Sequence, residues 1–216
     1  MEPGGRTNVA DERSPLEGPQ VPSPPSALVL LAREAAAGDS VAMAKLLRAI
    51  APKLIAVVRA ILGGGHADVD DAVQQTLIGF VQGLPAFRGD CDPTGYGRVI
   101  AVRTAVAVRK RARARGARNE EGADADALIA GTPSPREDAF ATRRKAALRD
   151  LLDELPPEQS EAFAMRIVLG CSLDEIAKQS NAPVNTIRSR LRLAKERLKA
   201  RIESDPVLLE TLEMQR

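Results

Sequence analysis

Apolar side chains recur with a helical period along most of the chain, most clearly near its C-terminal end. Beyond residue 184 they are spaced by four, three and four positions, at Ile187, Leu191, Ala194 and Leu198. A shorter apolar face precedes them, at Leu173, Ile176 and Ala177. Such spacing places each set on one side of a helix. The pattern predicts two amphipathic helices in close succession.

The ends of these two helices are also marked in the sequence. Ser172 and Glu175 have the S-x-x-E spacing of a reciprocal capping box, which begins a helix. The stretch from Ser180 to Pro183 interrupts the first helix, because proline lacks an amide donor and restricts the residue before it. The second helix then begins at about Val184. We therefore predict a helix-turn-helix over residues 172–201.

Four further helices are predicted in the N-terminal half. A short helix beginning near Ser26 brings together Leu28, Leu31 and Ala35. An apolar stripe from Met43 to Ile61 predicts a second helix, which Pro52 should kink or divide. A third helix runs from Asp68 to about Leu84, and a fourth begins at Asp92-Pro93, a favourable cap and first position.

Composition divides the chain into two helical units. Residues 1–25 are rich in proline and poor in large apolar groups, so they are expected to be disordered. Residues 117–136 are acidic and rich in glycine and proline, as a flexible linker is. With few aromatic residues, the chain is expected to be all-α: two small helical domains, 26–116 and 137–204, joined by that linker. The C-terminal domain contains the helix-turn-helix, and 205–216 form a tail, expected to be a loose terminal turn.

Charge is segregated along a chain whose formal net charge is only +2. The fourth predicted helix has no acid between residues 98 and 118 but carries eight cations: Arg98, Arg103, Arg109, Lys110, Arg111, Arg113, Arg115 and Arg118. The second helix of the helix-turn-helix has seven cations and one acid, Glu196. Like charges at this density repel unless a polyanion lies near. Nucleic acid is therefore the expected partner, and a solvated charged face is the alternative.

The residues that would support enzymatic or metal chemistry are sparse. Cys91 and Cys171 form no CxxC pair, and His66 is the single histidine, so no metal site, disulfide or cofactor is expected. Gly63-Gly64-Gly65 lacks the pattern of a phosphate-binding loop and is interpreted as a turn. No nucleophile and base can be paired, so no catalytic residue is assigned. Without a bilayer-length apolar run or a signal-peptide core, the expected location is the cytoplasm.

With both halves in view, the chain resembles the RNA polymerase sigma-70 family, in its short extracytoplasmic-function form. The stretch ADVDDAVQQTLIGFVQGLPAFRGD is similar to region two point two of that family. Asp68, Asp70, Asp71 and Gln74 fall on the acids and the glutamine of its motif. Region four is matched more closely, at Leu155-Pro156, Glu175-Ile176-Ala177, Thr186-Ile187, Ser189-Arg190-Leu191 and Ala194. The similarity covers about residues 27–115 and 145–203.

The resemblance implies that residues 26–116 are sigma region two and that 137–204 are sigma region four. It implies a docking surface for core RNA polymerase on the third helix, at Asp70, Asp71, Gln74, Gln75 and Ile78. The aspartates have a simpler interpretation too, because acids in a first turn complement the helix dipole. Family members are often held by an anti-sigma partner, and the linker would permit such closure.

Two DNA-contacting surfaces are expected. The recognition helix should read the minus-thirty-five element; its assigned residues are Asn185, Thr186, Arg188, Ser189, Arg190, Arg192 and Lys195. Of these, the residues in the first turns suit base edges and the later cations suit phosphates. The resemblance implies minus-ten contacts on the fourth helix, at Tyr96, Arg103, Arg109, Lys110 and Arg111. This helix departs from the family in having Tyr96 as its only aromatic, and Arg103 near the customary asparagine.

The function expected from these features is that of a sigma factor. It would bind core polymerase, direct promoter-specific initiation and perform no covalent chemistry itself. The alternative is a stand-alone helix-turn-helix regulator whose first domain binds something other than polymerase. The acid and glutamine surface around Asp71 distinguishes the two, because only a sigma factor requires it.

Overall fold

The computed structural model describes residues 26–87, 92–116 and 135–213, and these form helices with no β-strand. The N-terminal unit contains α1 (Ala27–Ala36), α2 (Ser40–Leu62), α3 (Val69–Gly83), a 3₁₀ turn (Leu84–Ala86) and α4 (Pro93–Gly116). The C-terminal unit contains α5 (Pro135–Glu154), α6 (Pro157–Ile167), α7 (Leu173–Ser180), α8 (Val184–Glu203) and α9 (Pro206–Glu213). The predicted all-α class is confirmed. The proline-rich start and nearly all of the predicted linker lie outside the described residues.

Side chains cap the helices where the sequence predicts. The Asp39 carboxylate accepts hydrogen bonds from the amides of Val41 and Ala42, at 2.8 and 3.1 Å, and so begins α2. Asp92 likewise accepts from the amide of Thr94 at 3.1 Å in the first turn of α4. These caps satisfy amides that have no partner within the helix.

The most deeply buried residues of α1 are small. Its buried positions are Val29, Ala32 and Ala35, whereas Leu28 and Leu31 are half-buried and pack at the edge of the core. Alanine side chains allow α1 to lie close against α2, and the leucines then cover the seam between the two helices. The predicted residues Leu28, Leu31 and Ala35 all contact this core, and Val29 and Ala32 complete the buried side of α1.

Pro52 does not divide α2, which continues from Ser40 to Leu62. The proline lies on the exposed side of the helix, while Ile50 and Leu54 on either side of it are buried. Burial of the apolar stripe compensates for the hydrogen bond that proline cannot donate. Of the two predicted effects of Pro52, the division of the helix does not occur.

Three aromatic rings join α3 to α4. The Phe80 ring is fully buried, and its centroid lies 5.9 Å from that of Tyr96, which in turn lies 5.6 Å from that of Phe87. Glycine allows close packing beside this cluster, because a Cβ atom at Gly97 would lie 3.0 Å from Leu54 Cδ2 and 3.2 Å from Phe80 Cδ2 and would force these side chains to shift. The cluster fixes the distance between the two helices.

The C-terminal unit has its own small core, and its last segment is helical. Leu151 of α5 and Leu155, which directly follows that helix, pack with Ala194 and Leu198 of α8. The predicted loose terminal turn is instead α9, begun by Asp205, whose carboxylate accepts from the amides of Val207 and Leu208 at 3.1 and 3.2 Å. Leu208 packs against the same core, which explains why this segment is helical.

The two units are packed together in this structure. Buried side chains of α4 share one hydrophobic cluster with side chains of α6, α7 and α8; the cluster includes Val99, Val102, Val106, Ala162, Met165, Ile176 and Ile187. The outer side of α4 therefore faces the C-terminal unit over much of its length.

Candidate nucleic-acid and protein interfaces

The helix-turn-helix is built as the sequence predicts. The Ser172 hydroxyl accepts from the amide of Glu175 at 3.2 Å, and the Glu175 carboxylate accepts from the amide of Ser172 at 2.7 Å. The latter bond lowers the pKa of the Glu175 carboxyl. Asn181 ends α7 in the left-handed conformation, with φ of 46°, as asparagine tolerates. These contacts set the angle at which α8 leaves the turn.

The first turns of α8 present exposed polar side chains. Its apolar stripe, Ile187, Leu191, Ala194 and Leu198, is buried as predicted. Asn185, Arg188 and Ser189 are exposed on the other side, and Thr186 is half-buried. Arg188 Nη1 donates to Asn185 Oδ1 at 2.6 Å, which orders both groups at the helix surface. An amide and a guanidinium held in this way suit hydrogen bonding to the edges of bases.

Two of the three later cations assigned to DNA on α8 have acidic partners within the protein. Arg192 pairs with Glu196 at 2.7 Å, and Arg190 pairs with Glu158 of α6. Lys195 is exposed and has no ion pair among the described residues. Exposed pairs of this kind are worth at most about 1 kcal/mol, so a DNA phosphate can displace the carboxylate.

A second surface lies on α3. The five predicted docking residues, Asp70, Asp71, Gln74, Gln75 and Ile78, are all exposed and lie on one face of the helix. Ile78 exposes 47% of its surface, which is high for a large apolar residue. Beside this face, α3 and α4 enclose an open cleft of about 360 Å³, whose lining includes Asp71, Gln75 and Arg111. A mixed polar and apolar face of this kind suits a protein partner.

The residues predicted to contact the minus-ten element are not brought together on one open face. The Tyr96 ring lies in the aromatic cluster between Phe80 and Phe87. Arg111 is exposed. The other three, Arg103, Arg109 and Lys110, point toward the C-terminal unit and bond to it. Their role in binding DNA stays a prediction.

Arg109 makes the most extensive of these contacts. Its Nε and Nη2 atoms donate to the two carboxylate oxygens of Asp153, at 2.8 and 2.6 Å. Its Nη1 atom lies 3.3 and 3.4 Å from the carbonyl oxygens of Ile61 and Leu62, at the end of α2. Only 11% of the Arg109 side chain and 12% of the Asp153 side chain are exposed. A two-pronged pair of this kind fixes orientation as well as charge.

The ammonium group of Lys110, on α4, contacts the C-terminal end of α5. Its Nζ atom donates to the carbonyl oxygens of Leu152 at 3.1 Å and Asp153 at 2.5 Å, and also to that of Leu155. These carbonyls have no amide partner within the helix and carry the negative end of its dipole. Burial lowers the pKa of the Lys110 ammonium, although Asp153 opposes this effect.

Arg103 bridges α4 to both α6 and α7. Its Nη2 atom donates to the carbonyl oxygen of Gln179, and its Nε atom lies 3.7 Å from Glu161 Oε2. The pKa of the Glu161 carboxyl is raised, chiefly because burial disfavours its charged form. Arg103 and Arg190 oppose this shift, whereas Glu158 adds to it.

We expect Glu161→Gln to increase the free energy of unfolding by less than about 1 kcal/mol at pH 8 and to leave it unchanged near pH 4. A raised folded-state pKa means that the stability contributed by this carboxyl is fully present below its unfolded value and is lost as pH rises through the folded one. Urea titrations at both pH values measure the difference. Asp174→Asn removes an exposed carboxylate and should give no gain. A loss at pH 8 would mean that attraction to Arg103 outweighs burial.

Sequence reasoning missed the acidic partners of these basic residues. Asp153, Glu158 and Glu161 lie 32 to 58 positions away from the cations that they pair with. Nothing local in the sequence distinguishes them from other surface acids of α5 and α6. Their assignment needs the packing of α4 against the C-terminal unit for Asp153 and Glu161, and the packing of α8 against α6 for Glu158.

Neither a membrane-spanning helix nor a cluster of metal ligands is found in the part of the chain that the structure describes. No helix within residues 26–87, 92–116 or 135–213 has the length and apolar character to cross a membrane. Over the same ranges, no group of three or more histidine, cysteine or acidic side chains is arranged to hold a metal ion.

Family models match both units. Residues 46–115 match the model of sigma-70 region 2, and residues 145–198 match that of sigma-70 region 4. The two matches follow the order of the helical units and together span more than half of the chain. The first contains the exposed face of α3, and the second contains the helix-turn-helix.

Curated relatives and solved structures agree with these matches. The chain is 28% identical over 145 residues to an ECF RNA polymerase sigma-E factor of Haemophilus influenzae, covering 63% of this chain and 75% of the relative. It is 27% identical over 176 residues to the ECF sigma factor SigD of Mycobacterium tuberculosis, covering 78% and 81%. The fold is similar to that of CnrH in complex with the cytosolic domain of CnrY, with a TM-score of 0.53 and 22% identity over 83% of this chain and 99% of the other. A second similar structure is the sigma factor RpoE bound to the anti-sigma factor NepR from Bartonella quintana, with a TM-score of 0.50, 22% identity and coverage of 80% and 98%.

Proposed function

The chain belongs to the sigma-70 family, in its extracytoplasmic-function group, and from this premise we propose how its surfaces serve promoter-specific initiation. As a sigma factor it binds core RNA polymerase and promoter DNA and directs the start of transcription. The proposal is carried by two exposed faces in one chain. The first is the acid and glutamine face of α3; the second is the reading face of α8, formed by Asn185, Arg188 and Ser189. A stand-alone regulator that does not bind polymerase would not require the exposed face of α3.

We assign core polymerase binding to the exposed face of α3. Asp71 and Gln74 provide a charge and an amide, and Ile78 provides an apolar anchor that is otherwise unfavourably exposed. Interfaces of this kind draw most of their binding energy from a few central residues. Polymerase, not this chain, carries out nucleotide transfer, and the complex works in the cytoplasm.

DNA contacts are assigned to α8 and α4. Asn185, Thr186, Arg188 and Ser189 lie in the first turns of α8, where a recognition helix reaches base edges. Arg190, Arg192 and Lys195 lie further along the helix and position it through phosphates. On α4, the assigned minus-ten contacts are Tyr96, Arg103, Arg109, Lys110 and Arg111. An anti-sigma partner is a further proposal, supported by the solved complexes of similar fold.

The function is tested by transcription in vitro. Core polymerase supplemented with this protein should initiate at a restricted set of sites across the source genome, and those sites should share sequences near minus thirty-five and minus ten. Core polymerase alone is the control. Initiation that is equal with and without the protein would contradict the assignment.

We expect Arg188→Ala to weaken binding to a mapped minus-thirty-five duplex by about 1–3 kcal/mol, because a guanidinium bonded to a guanine discriminates by that amount. Binding to unrelated DNA should change much less. Fluorescence anisotropy at one fixed salt concentration measures both.

The matched control is Lys195→Ala, which removes one exposed cation from the same helix. It should weaken specific and unrelated DNA equally and flatten the log-log salt dependence by roughly 0.9. If Arg188→Ala behaves in the same way, Arg188 contacts a phosphate and its assignment to a base is wrong.

A further inference from the structure

Three of the five residues assigned to the minus-ten element are occupied by the protein itself. Arg109 is held by the Asp153 carboxylate, Lys110 by carbonyl oxygens at the end of α5, and Arg103 by Gln179 and Glu161. The acceptors are carboxylate and carbonyl oxygens, which accept hydrogen bonds from these cations as the phosphate oxygens of DNA do. Each bond must break before its cation can bind DNA.

We propose that the C-terminal end of α5 is an intramolecular inhibitor that occupies the minus-ten surface of α4 by imitating the phosphate backbone. The inhibitory segment comprises the carboxylates of Asp150 and Asp153 and the carbonyl groups of Leu152, Asp153 and Leu155. The inference rests on the proposed function, since it takes Arg109 and Lys110 to be DNA contacts.

Burial distinguishes this contact from ordinary surface pairing. Arg109 and Asp153 expose only 11% and 12% of their side chains, whereas Arg192 and Glu196 on α8 expose 63% and 56%. A buried two-pronged pair keeps most of its strength in salt, and breaking it leaves a desolvated charge. Arg109 is therefore not available to DNA while α5 stays in place.

Further contacts hold α5 against the N-terminal unit. Arg149 Nε donates to the carbonyl oxygen of Ala60 at 3.3 Å, and the guanidinium lies over Gly63, where a Cβ atom would be 3.2 Å from Nη1. The shared hydrophobic cluster of α4 and α6 adds to them. The C-terminal unit is therefore held by contacts to the end of α2 and by contacts along α4.

Inhibition is selective for one of the two DNA surfaces. Asn185, Arg188 and Ser189 are exposed in the same closed structure, so the reading face of α8 is open. The closed protein can bind a minus-thirty-five duplex but has lost three of its five minus-ten contacts. If only a fraction of molecules is open, apparent affinity for minus-ten DNA falls by that fraction.

The test compares the full chain with Asp150→Asn/Asp153→Asn. The probe is a single-stranded oligonucleotide covering the minus-ten region of the non-template strand of a mapped promoter. We expect the variant to bind it about tenfold more tightly at fixed salt, because weakening the inhibitor raises the open fraction. The radius of gyration, measured by small-angle X-ray scattering, should increase. Affinity for the minus-thirty-five duplex should change less than twofold, which also verifies that α8 stays folded.

A charge-matched control separates opening from a general gain of positive charge. Glu34→Gln/Asp174→Asn removes two exposed carboxylates from α1 and α7, away from the end of α5. It should change neither the radius nor the affinity for either probe. An equal gain for both DNA probes, or a gain in the control as well, would overturn the proposal.

The other outcomes are also decisive. Unchanged minus-ten affinity in the Asp150→Asn/Asp153→Asn protein overturns the inhibitory role, whether or not the radius increases. The transcription assay tests the proposed function separately. If that function is wrong, wild-type protein does not support initiation by core polymerase. A protein that initiates normally but shows no gain on substitution would retain its function and lose only the inhibitor.

Discussion

The Asp71→Arg/Gln74→Ala protein is expected to bind core RNA polymerase at least ~100-fold more weakly than wild type, which corresponds to about 2.7 kcal/mol. Both side chains are exposed at the centre of the α3 face, so the substitutions remove binding groups without disturbing the core. Reversing a charge also leaves the partner's own charge unpaired, and losses of 2–5 kcal/mol or more are usual for such contacts. Titration of labelled core polymerase measures the change.

Glu34→Arg is the matched control, since it makes the same change of charge on an exposed position of α1. That protein should bind polymerase as wild type does, and both variants should retain affinity for the minus-thirty-five duplex. Equal and negligible association of wild type and the double variant would contradict the assignment of α3. In that case the alternative of a stand-alone DNA-binding regulator would have to be adopted.

Phe80→Ala should reduce the free energy of unfolding by about 3–5 kcal/mol. Phe80 is fully buried, and its ring fills the space between Leu54, Gly97 and Tyr96. The surrounding helices cannot collapse into the resulting cavity without moving α3 relative to α4. Urea titration followed by far-ultraviolet circular dichroism measures the loss.

Phe87→Ala provides the comparison for this core substitution. Phe87 contacts the same tyrosine but is half-buried, so truncation removes less buried area and leaves a site that water can enter. Its loss should be clearly smaller than that of Phe80→Ala. Equal losses would mean that the cluster is stabilised by the rings as a group and not by burial of Phe80.

Local signals in the sequence predict most of the helices. The Ser172–Glu175 capping box, the Asp92 cap and the buried stripe of α8 depend on residues within four positions of one another, so spacing alone specifies them. The exposed face of α3 is found in the same way, because polar residues on one side of a helix follow from its period.

Features that depend on distant residues could not be read from the sequence. The buried side of α1 is decided by how closely α2 approaches, which favours Ala32 over the larger Leu31. The partner of Arg109 lies 44 positions away, beyond a segment outside the described residues. A basic helix with no acid of its own predicts a polyanion nearby. In α4, acidic side chains of the C-terminal unit neutralise part of this charge, at Asp153 and Glu161.

The aromatic cluster of α3 and α4 has an optical consequence. The chain has one tyrosine and no tryptophan, and the tyrosine ring lies against Phe80 and Phe87. Its intrinsic ultraviolet emission therefore comes from the N-terminal unit alone. Circular dichroism follows the melting of all helices, whereas tyrosine fluorescence reports on the packing of α3 against α4. Recording both signals on one unlabelled sample shows whether the α3–α4 contact is lost together with the other helices or separately from them.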